Sequence, residues 1–338
     1  MKRRVADISE RDVMKLPRRK FLHLAAGAAA LPAVSRIAWA QAYPTRQVRI
    51  IVGFPPAGAQ DILARLFGQW LSERLGQPFV IENRPGGGGN IAAEAVVRAP
   101  ADGYTLLTIG APNEINATLY DKLKFNFIRD IAPIASMIRF ANVLEVHPSV
   151  PVKSVSEFIT YAKANPGKLN MASAGIGSGQ HICGEMFKLI TGINMTHVPY
   201  RGSAQALTDM VGGRVQVMFD AMPNSIEYIR AGALRALAVT TATRSELLPD
   251  LPTVGDFVPG YEASQVDGIG APAGTPGLII DRLNKEINAG LADPKLRARL
   301  IEMGATVLAG SPSDYAKLIA EGAERWGRVI RAANIKPE

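Results

Sequence analysis

The chain has 338 residues, a length typical of one large or two ordinary globular domains. Of these residues 47% are hydrophobic and 20% are charged, a composition that excludes a disordered chain. Its one cysteine, Cys183, excludes an internal disulfide framework and a multi-cysteine metal site. The net charge of +8 falls mostly in residues 1–40, which carry nine Lys or Arg and three acidic residues, so the nearly neutral remainder excludes a basic nucleic-acid surface.

Residues 1–40 are predicted to be a twin-arginine signal peptide. The pair Arg18-Arg19 precedes a weakly hydrophobic run, and Ala38-Trp39-Ala40 has the small–x–small pattern of a cleavage site. The longest apolar run, Phe21 to Val34, is too short to span a bilayer. We therefore expect cleavage after Ala40 and a mature chain in the periplasm.

The first part of the mature chain alternates short apolar strands with helices. Strands are expected at 49–54, 79–82 and 105–109. Helices are expected at Asp61–Leu75 and Asn90–Arg98, the first of them ending at a glycine. This alternation favours an α/β fold with parallel strands.

A second α/β block begins near His147. Ser154 and Glu157 form a predicted capping box at the start of a helix that ends at Gly167. The stretch from Gly268 to Glu338 is expected to be mainly helical, with the helices beginning after 271–276. Between these regions we expect strands at 169–172, 195–198, 215–219 and 234–240, a helix ending at Thr191, and a helix at 203–211.

Three small-residue loops carry the chain from a strand into a helix N-terminus. They contain Ala57-Gly58, Gly175–Gly179 and Gly202-Ser203-Ala204. Helix N-termini present unpaired N–H groups and the positive end of the helix dipole, and in open sheets such loops gather where the strands end. The three loops together favour a cleft for a small anion, although each glycine alone is also explained by a tight turn.

No motif indicates catalysis or a cofactor. Gly87–Ala92 matches a dinucleotide fingerprint but follows the second strand, and no acidic residue is placed for a ribose hydroxyl. Ser178 lacks the flanking pattern of a nucleophile elbow, and no spacing joins His181, His197 and Asp220 in a triad. We expect a protein that is not an enzyme and has no cofactor and no metal site.

Ordered motifs along almost the whole mature chain carry a resemblance to one known family. They include Phe54-Pro55-Pro56, Glu82-Asn83-Arg84-Pro85-Gly86, Asp102-Gly103-Tyr104-Thr105-Leu106-Leu107, His197-Val198-Pro199-Tyr200-Arg201-Gly202 and Ala271-Pro272-Ala273-Gly274-Thr275-Pro276. On these motifs the sequence is identified as a member of the Bug-type periplasmic receptors of tripartite tricarboxylate transporters. The resemblance implies a two-lobed α/β periplasmic binding protein of the type II Venus-flytrap class, with hinge-linked lobes and parallel-rich sheets.

The family also implies how the chain is divided and which residues bind a ligand. Lobe 1 would consist of 41–143 and the returning segment 265–338, and lobe 2 of 144–264. A small carboxylate would be held in the cleft through backbone N–H groups and ordered water. The implied ligand-binding residues are Pro56, Ala57, Gly58, Asp61, Tyr200, Gly202, Ser203 and Ala204. Further candidates, for the distal end of the ligand, are Asn90, Asn113, Ser173, Ser178, His181 and Asp220.

Three residues depart from the family pattern. Ala57 stands where glycine is usual and disfavours a positive φ. Gln60 stands where threonine is common, and Val266 stands where tryptophan is usual, so we expect a more open cleft wall beside the hinge. These departures affect the choice of ligand more than the fold.

The function that follows is a receptor that delivers an organic acid to membrane transporter subunits, with the receptor a monomer and no nucleic acid as partner. Dicarboxylates, tricarboxylates, amino acids and aromatic acids all remain open as ligands. A receptor that presents its ligand to a sensor kinase of a two-component system is the main alternative, followed by a periplasmic hydrolase.

Overall fold

The computed structural model describes residues 43–120, 122–245 and 247–337. The predicted signal peptide and its cleavage site lie outside these residues. Residues 44–338 form one compact unit. Among the described residues, none of the helices combines the length and apolar character needed to span a membrane.

Short strands and longer helices alternate along the first half of the chain. The strands are β1 (Val48–Val52), β2 (Phe79–Asn83), β3 (Thr105–Ile109), β4 (Ile131–Val146) and β5 (Asn170–Ser173). The helices are α1 (Ala59–Leu75), α2 (Asn90–Val97), α3 (Ala111–Leu119), α4 (Phe127–Asp130) and α5 (Val155–Ala164).

The second half continues the alternation and ends in helices. The strands are β6 (Thr196–Pro199), β7 (Val217–Ala221), β8 (Arg235–Val239), β9 (Ser264–Pro272) and β10 (Ala305–Val307). The helices are α6 (Gly179–Thr191), α7 (Ser203–Val211), α8 (Met222–Arg230), α9 (Gly277–Ala292), α10 (Pro294–Glu302) and α11 (Pro312–Ala332).

The strands join in one sheet whose two outer parts are parallel and whose centre is antiparallel. The described strands follow the order β2-β1-β3-β9-β4-β7-β5-β6, and β8 and β10 pair with β4 as well. Neighbours at the two outer parts, such as β1 with β3 and β5 with β7, are parallel. The predicted parallel strands are thus found in each half, while β4 and β9 add the antiparallel pairs between them.

The long strand β4 takes part in both halves of the sheet. Its first part, Ile131–Ala141, pairs with β9, and its last part, Asn142–Val146, pairs with β7. Helix α11 also serves both halves. Tyr315 and Ile319 pack in a core with residues of β1 and β3, whereas Trp326 packs in a core with residues of β4, α6 and β7. The boundary predicted at 143/144 falls within β4, and the one predicted at 264/265 falls at the start of β9. The division into two lobes at these positions stays a prediction.

The expected elements of both blocks are present with small shifts at their ends. Ser154 is the N-cap of α5 and accepts a hydrogen bond from the N–H of Glu157. The Glu157 carboxylate, however, accepts from the N–H of Lys153, so only half of the predicted capping box forms. The C-terminal region is mainly helical, and its first helix, α9, begins at Gly277, directly after the predicted start at 271–276. The strand β9, which is fully buried and ends at Pro272, was not predicted.

Candidate ligand-binding site

A cavity of about 270 Å³ lies where loops from both halves of the sheet meet. Residues at or just after the carboxyl ends of β1, β5 and β7 line it, namely Phe54, Ala174 and Ala221. The loop after β6 contributes Arg201 and Gly202. This is the position at which α/β sheets bind ligands, and the volume is near the lower end of the range for small-molecule sites, about 300–1,000 Å³.

Two of the three predicted loops lead into helices that begin at the cavity without a side chain that caps them. Gly58 is the N-cap of α1 and Gly202 that of α7, and neither helix has a side-chain hydrogen bond at its cap. Gly58, Ser203 and Ala204 all line the cavity. The first N–H groups of a helix lack intrahelical partners and carry the positive end of the dipole, so an anion at this point would be stabilised by both helices.

The third glycine-rich loop differs, because its helix is capped from within. The Oγ of Ser178 accepts a hydrogen bond from the N–H of His181 at the start of α6. Gly179 and Gln180 still line the cavity. Of the three predicted loops, two therefore leave their helix N-termini open to a ligand.

The loop before α1 is held by a buried carboxylate. Asp61 accepts hydrogen bonds from the N–H of Ala57 at 3.0 Å and from the side chains of Arg65 and Asn83. Burial alone would raise the pKa of Asp61, but these hydrogen bonds outweigh burial and lower it. Ala57 adopts a φ of +69°. Asp61 thus fixes the shape of the loop, and Ala57 takes the conformation that alanine disfavours.

The wall formed by β9 carries two polar side chains. Gln265 and Asp267 line the cavity, while Val266 between them packs in a hydrophobic core, as expected from the alternation of side chains along a strand. The expected opening of the cleft wall at Val266 is therefore wrong, because this side chain points away from the cavity.

Asp267 is a buried carboxylate without a partner. It is 2% exposed, and neither Oδ1 nor Oδ2 has a hydrogen-bond partner among the described residues. Burial raises the pKa of Asp267 to about 7, an effect that the nearby amide of Gln60 only partly offsets. Both side chains lie over Gly110, where a Cβ would overlap Gln60 Nε2 and Asp267 Oδ1.

Asp220 lies directly behind the cavity wall. Its Oδ1 accepts hydrogen bonds from the amides of Gln180 and Asn224, two residues that line the cavity, at 3.0 and 3.1 Å. Ser225 Oγ lies 3.0 Å from Asp220 Oδ2 and 2.9 Å from Glu145 Oε1. Burial and the charge of Asp220 raise the pKa of Glu145 well above its usual value. A protonated Glu145 can therefore donate to Ser225, which in turn donates to Asp220.

The other predicted site residues lie outside the cavity lining and have partners within the protein. Their contact with a ligand stays a prediction. The hydrogen bonds join Asn90 to Asn116, Asn113 to the N–H of Gly110, Ser173 to His197, Tyr200 to Asp209, and His181 to the N–H of Gly177.

His181 and His197 form a buried stacked pair with ring centroids 3.9 Å apart. Burial lowers the pKa of His181 to about 3 and that of His197 to about 4, so both rings are neutral at pH 7. Neither ring lines the cavity. Within the described part of the chain, no group of three or more His, Cys, Asp or Glu side chains is placed to hold a metal ion.

The sequence analysis missed the polar side chains of the wall, namely Gln180, Arg201, Asn224, Gln265 and Asp267. A signal was present for one of them. Asp267 is a carboxylate within an apolar run, which is unusual because charged residues are rarely buried without a partner. It was overlooked because no element was predicted between the strand at 234–240 and Gly268.

A cavity between two halves of a sheet, with two uncapped helix N-termini facing it, defines a two-lobed solute-binding protein. The chain matches the family model "Tripartite tricarboxylate transporter family receptor" over residues 63–335. It belongs to this family, as the sequence motifs indicated.

Solved structures of similar proteins have the same fold. R. palustris Rpa4515 with adipate is 41% identical, with 88% of this chain and 100% of that chain covered and a TM-score of 0.84. The periplasmic binding protein BugD is 33% identical, with 88% and 100% covered and a TM-score of 0.82. MatC (Rpa3494) from Rhodopseudomonas palustris with bound malate is 32% identical, with 85% and 100% covered and a TM-score of 0.81.

Proposed function

We propose that the protein is a periplasmic receptor that binds a small carboxylate and delivers it to the membrane subunits of a tripartite transporter. The observation that carries this proposal is the pair of uncapped helix N-termini, of α1 and α7, at one cavity. The carboxylates in the Rpa4515 and MatC structures and the periplasmic description of BugD support it.

The ligand carboxylate would lie between the two helix N-termini. Backbone N–H groups from Gly58 to Gln60 and from Ser203 to Gln205 are the proposed donors, and Arg201 adds a positive charge to the same wall. The apolar part of the ligand would contact Phe54 and Phe140, which also line the cavity. Backbone donors recognise the carboxylate itself, whereas the remaining wall would select among acids.

The proposal includes the route to the periplasm and the form in which the receptor works. Residues 1–40 would direct export by the twin-arginine route, with cleavage after Ala40. The mature protein would act as a monomer without catalysis, and the segments 41–143 and 265–338 would move against 144–264 as two lobes.

Thermal unfolding with a panel of acids and their neutral amides tests the carboxylate site. An acid at 100 times its dissociation constant stabilises the folded protein by about 2.7 kcal/mol, which is a rise of about 4 °C in Tm for a chain of this size. The amides should give no rise. Amides that stabilise as well as the acids would contradict the proposal.

A pair of variants at Gly202 tests the contribution of the helix N-terminus. Gly202 has an extended φ of 164°, which proline cannot adopt, so Gly202→Pro should abolish the response to acids. Gly202→Ala is the matched control, because its N–H remains and its Cβ would lie 3.5 Å from Pro55 Cγ, an ordinary contact. This control should respond like the original protein, and a normal response of the proline variant would contradict the site.

A further inference from the structure

The group in the cavity wall that the proposed function does not explain is the carboxylate of Asp267. The residue is 2% exposed, lines the cavity, and has no hydrogen-bond partner for either carboxylate oxygen among the described residues. Buried carboxylates in native proteins are paired or hydrogen-bonded, because an unpaired buried charge is strongly unfavourable. The missing partner of Asp267 therefore belongs to the cavity.

The surroundings of Asp267 favour a cation as that partner. The charge of Asp267 raises the pKa values of Glu114 of α3 and Tyr315 of α11, and neither of these groups can supply a positive charge. Arg201, the cation of the cavity lining, makes no hydrogen bond to Asp267. The adjacent side chains in the wall, Gln60 and Gln265, are neutral amides. A second carboxylate placed here would meet like charge, whereas an ammonium group would find two free acceptor oxygens.

The cation site and the anion site lie close together. Gln60 belongs to the first turn of α1, and its side-chain amide lies next to Asp267, where both side chains occupy the space over Gly110. The Gln60 side chain therefore spans the distance from the N-terminus of α1 to the Asp267 carboxylate. A ligand of a few carbon atoms can reach both.

We propose that Asp267 is a specificity-determining residue that binds a protonated amino group, so that the receptor selects a small amino acid over acids without an amine. The carboxylate of this ligand lies at the N-termini of α1 and α7, and its ammonium group donates hydrogen bonds to Asp267. This inference rests on the proposed function. It is consistent with the raised pKa of Asp267, which an ammonium partner would lower again.

Calorimetric titration with matched acids tests the inference. The probes are 2-aminobutanoate, 4-aminobutanoate, butanoate and succinate. We expect the better of the two amino acids to bind at least tenfold more tightly than butanoate and succinate. In Asp267→Asn this amino acid should lose ten- to a hundredfold in affinity, the usual range for a hydrogen bond to a charged group, whereas butanoate, which has no amine, should lose none.

The variant should fold, because it removes an unpartnered buried carboxylate, and its Tm without ligand should be no lower than that of the original protein. Asp281→Asn is the matched control, since Asp281 is exposed on α9, and it should leave all four affinities unchanged. Succinate or butanoate binding as tightly as the amino acids, or an unchanged amino-acid affinity in Asp267→Asn, would overturn the inference.

The experiments distinguish a failure of this inference from a failure of the proposed function. If acids stabilise the protein and amides do not, but the amine adds no affinity, only the role of Asp267 fails. If amides bind as well as acids, the carboxylate receptor itself fails, and with it this inference.

Discussion

A positive φ at alanine makes the loop before α1 less stable than it could be. Ala57 has a φ of +69°, a conformation that costs a residue with a Cβ about 1–2 kcal/mol relative to glycine. The hydrogen bond from its N–H to Asp61 holds it there. Strain is thus retained next to the cavity, at a point where the loop shape decides how the N–H groups of α1 are presented.

Ala57→Gly should therefore stabilise the protein. The relief of strain exceeds the extra unfolded-state entropy of glycine, about 0.4–1 kcal/mol, so we expect a net gain of about 0.5–1 kcal/mol in the free energy of unfolding. Urea denaturation measures it. Ala316→Gly is the control, because Ala316 is exposed within α11 and the same exchange should cost about 1 kcal/mol there. Equal losses in both variants would show that Ala57 is not strained.

The residues of the site divide into those that local sequence predicts and those that it does not. Gly58, Gly202 and Ser203 were found because a helix N-terminus is defined by a few neighbouring residues. Asp267 was not found, because its burial depends on β3 and β4, which are far away in sequence. A local pattern predicts backbone donors, but the side chains that select a ligand come from long-range pairing.

Helices α3 and α11 meet around a second buried acid. Glu114 of α3 accepts a hydrogen bond from Trp326 Nε1 of α11 at 3.2 Å. Burial raises the pKa of Glu114 to about 8, although Arg325 and Trp326 act in the opposite direction. The carboxyl group is therefore protonated in the folded protein at pH 7 and ionised in the unfolded chain.

The raised pKa of Glu114 should make the free energy of unfolding depend on pH in a defined range. The folded-state pKa is raised, so the contribution of Glu114 is fully present below pH 4.5 and is lost as the pH rises to about 8. In Glu114→Gln this loss is absent. The stability of the variant relative to the original protein should rise by about 1.4 kcal/mol per pH unit between pH 5 and 8 and then stay level.

Urea denaturation at pH 5 to 9 measures this difference. Glu321→Gln is the control, because Glu321 is exposed on α11 and its 3.8 Å ion pair with Lys317 lies at the surface. Its stability relative to the original protein should not change with pH. Parallel curves for Glu114→Gln and the original protein would contradict the raised pKa.

Elements with strong local signals in the sequence were predicted well, whereas strands without such signals were not. The expected bounds of β3 at 105–109 and of α7 at 203–211 are those of the structure. The long strand β4 and the short strand β10 were not predicted. Their hydrogen-bond partners come from distant parts of the chain, and no turn signal marks them as neighbours.

At the scale of the molecule, the export signal proposed for residues 1–40 can be tested directly. If Arg18-Arg19 is the export signal, the double variant Arg18→Lys with Arg19→Lys should leave uncut precursor in the cytoplasm. Fractionation with mass measurement of the product checks this, and the exported form should begin at Gln41. The same exchange at Arg3 and Arg4, farther from the apolar run, is the control and should not reduce export. An unchanged periplasmic yield in the first variant would exclude the route.

Helix α11 contributes side chains to both hydrophobic cores, and this affects when the protein can fold during its synthesis. This helix, Pro312–Ala332, contributes Tyr315 to one hydrophobic core and Trp326 to the other. In many chains an N-terminal domain folds while the ribosome is still at work. Here each of the two cores includes side chains of α11, so neither is complete until this helix has left the ribosome, and we expect the two cores to finish folding together.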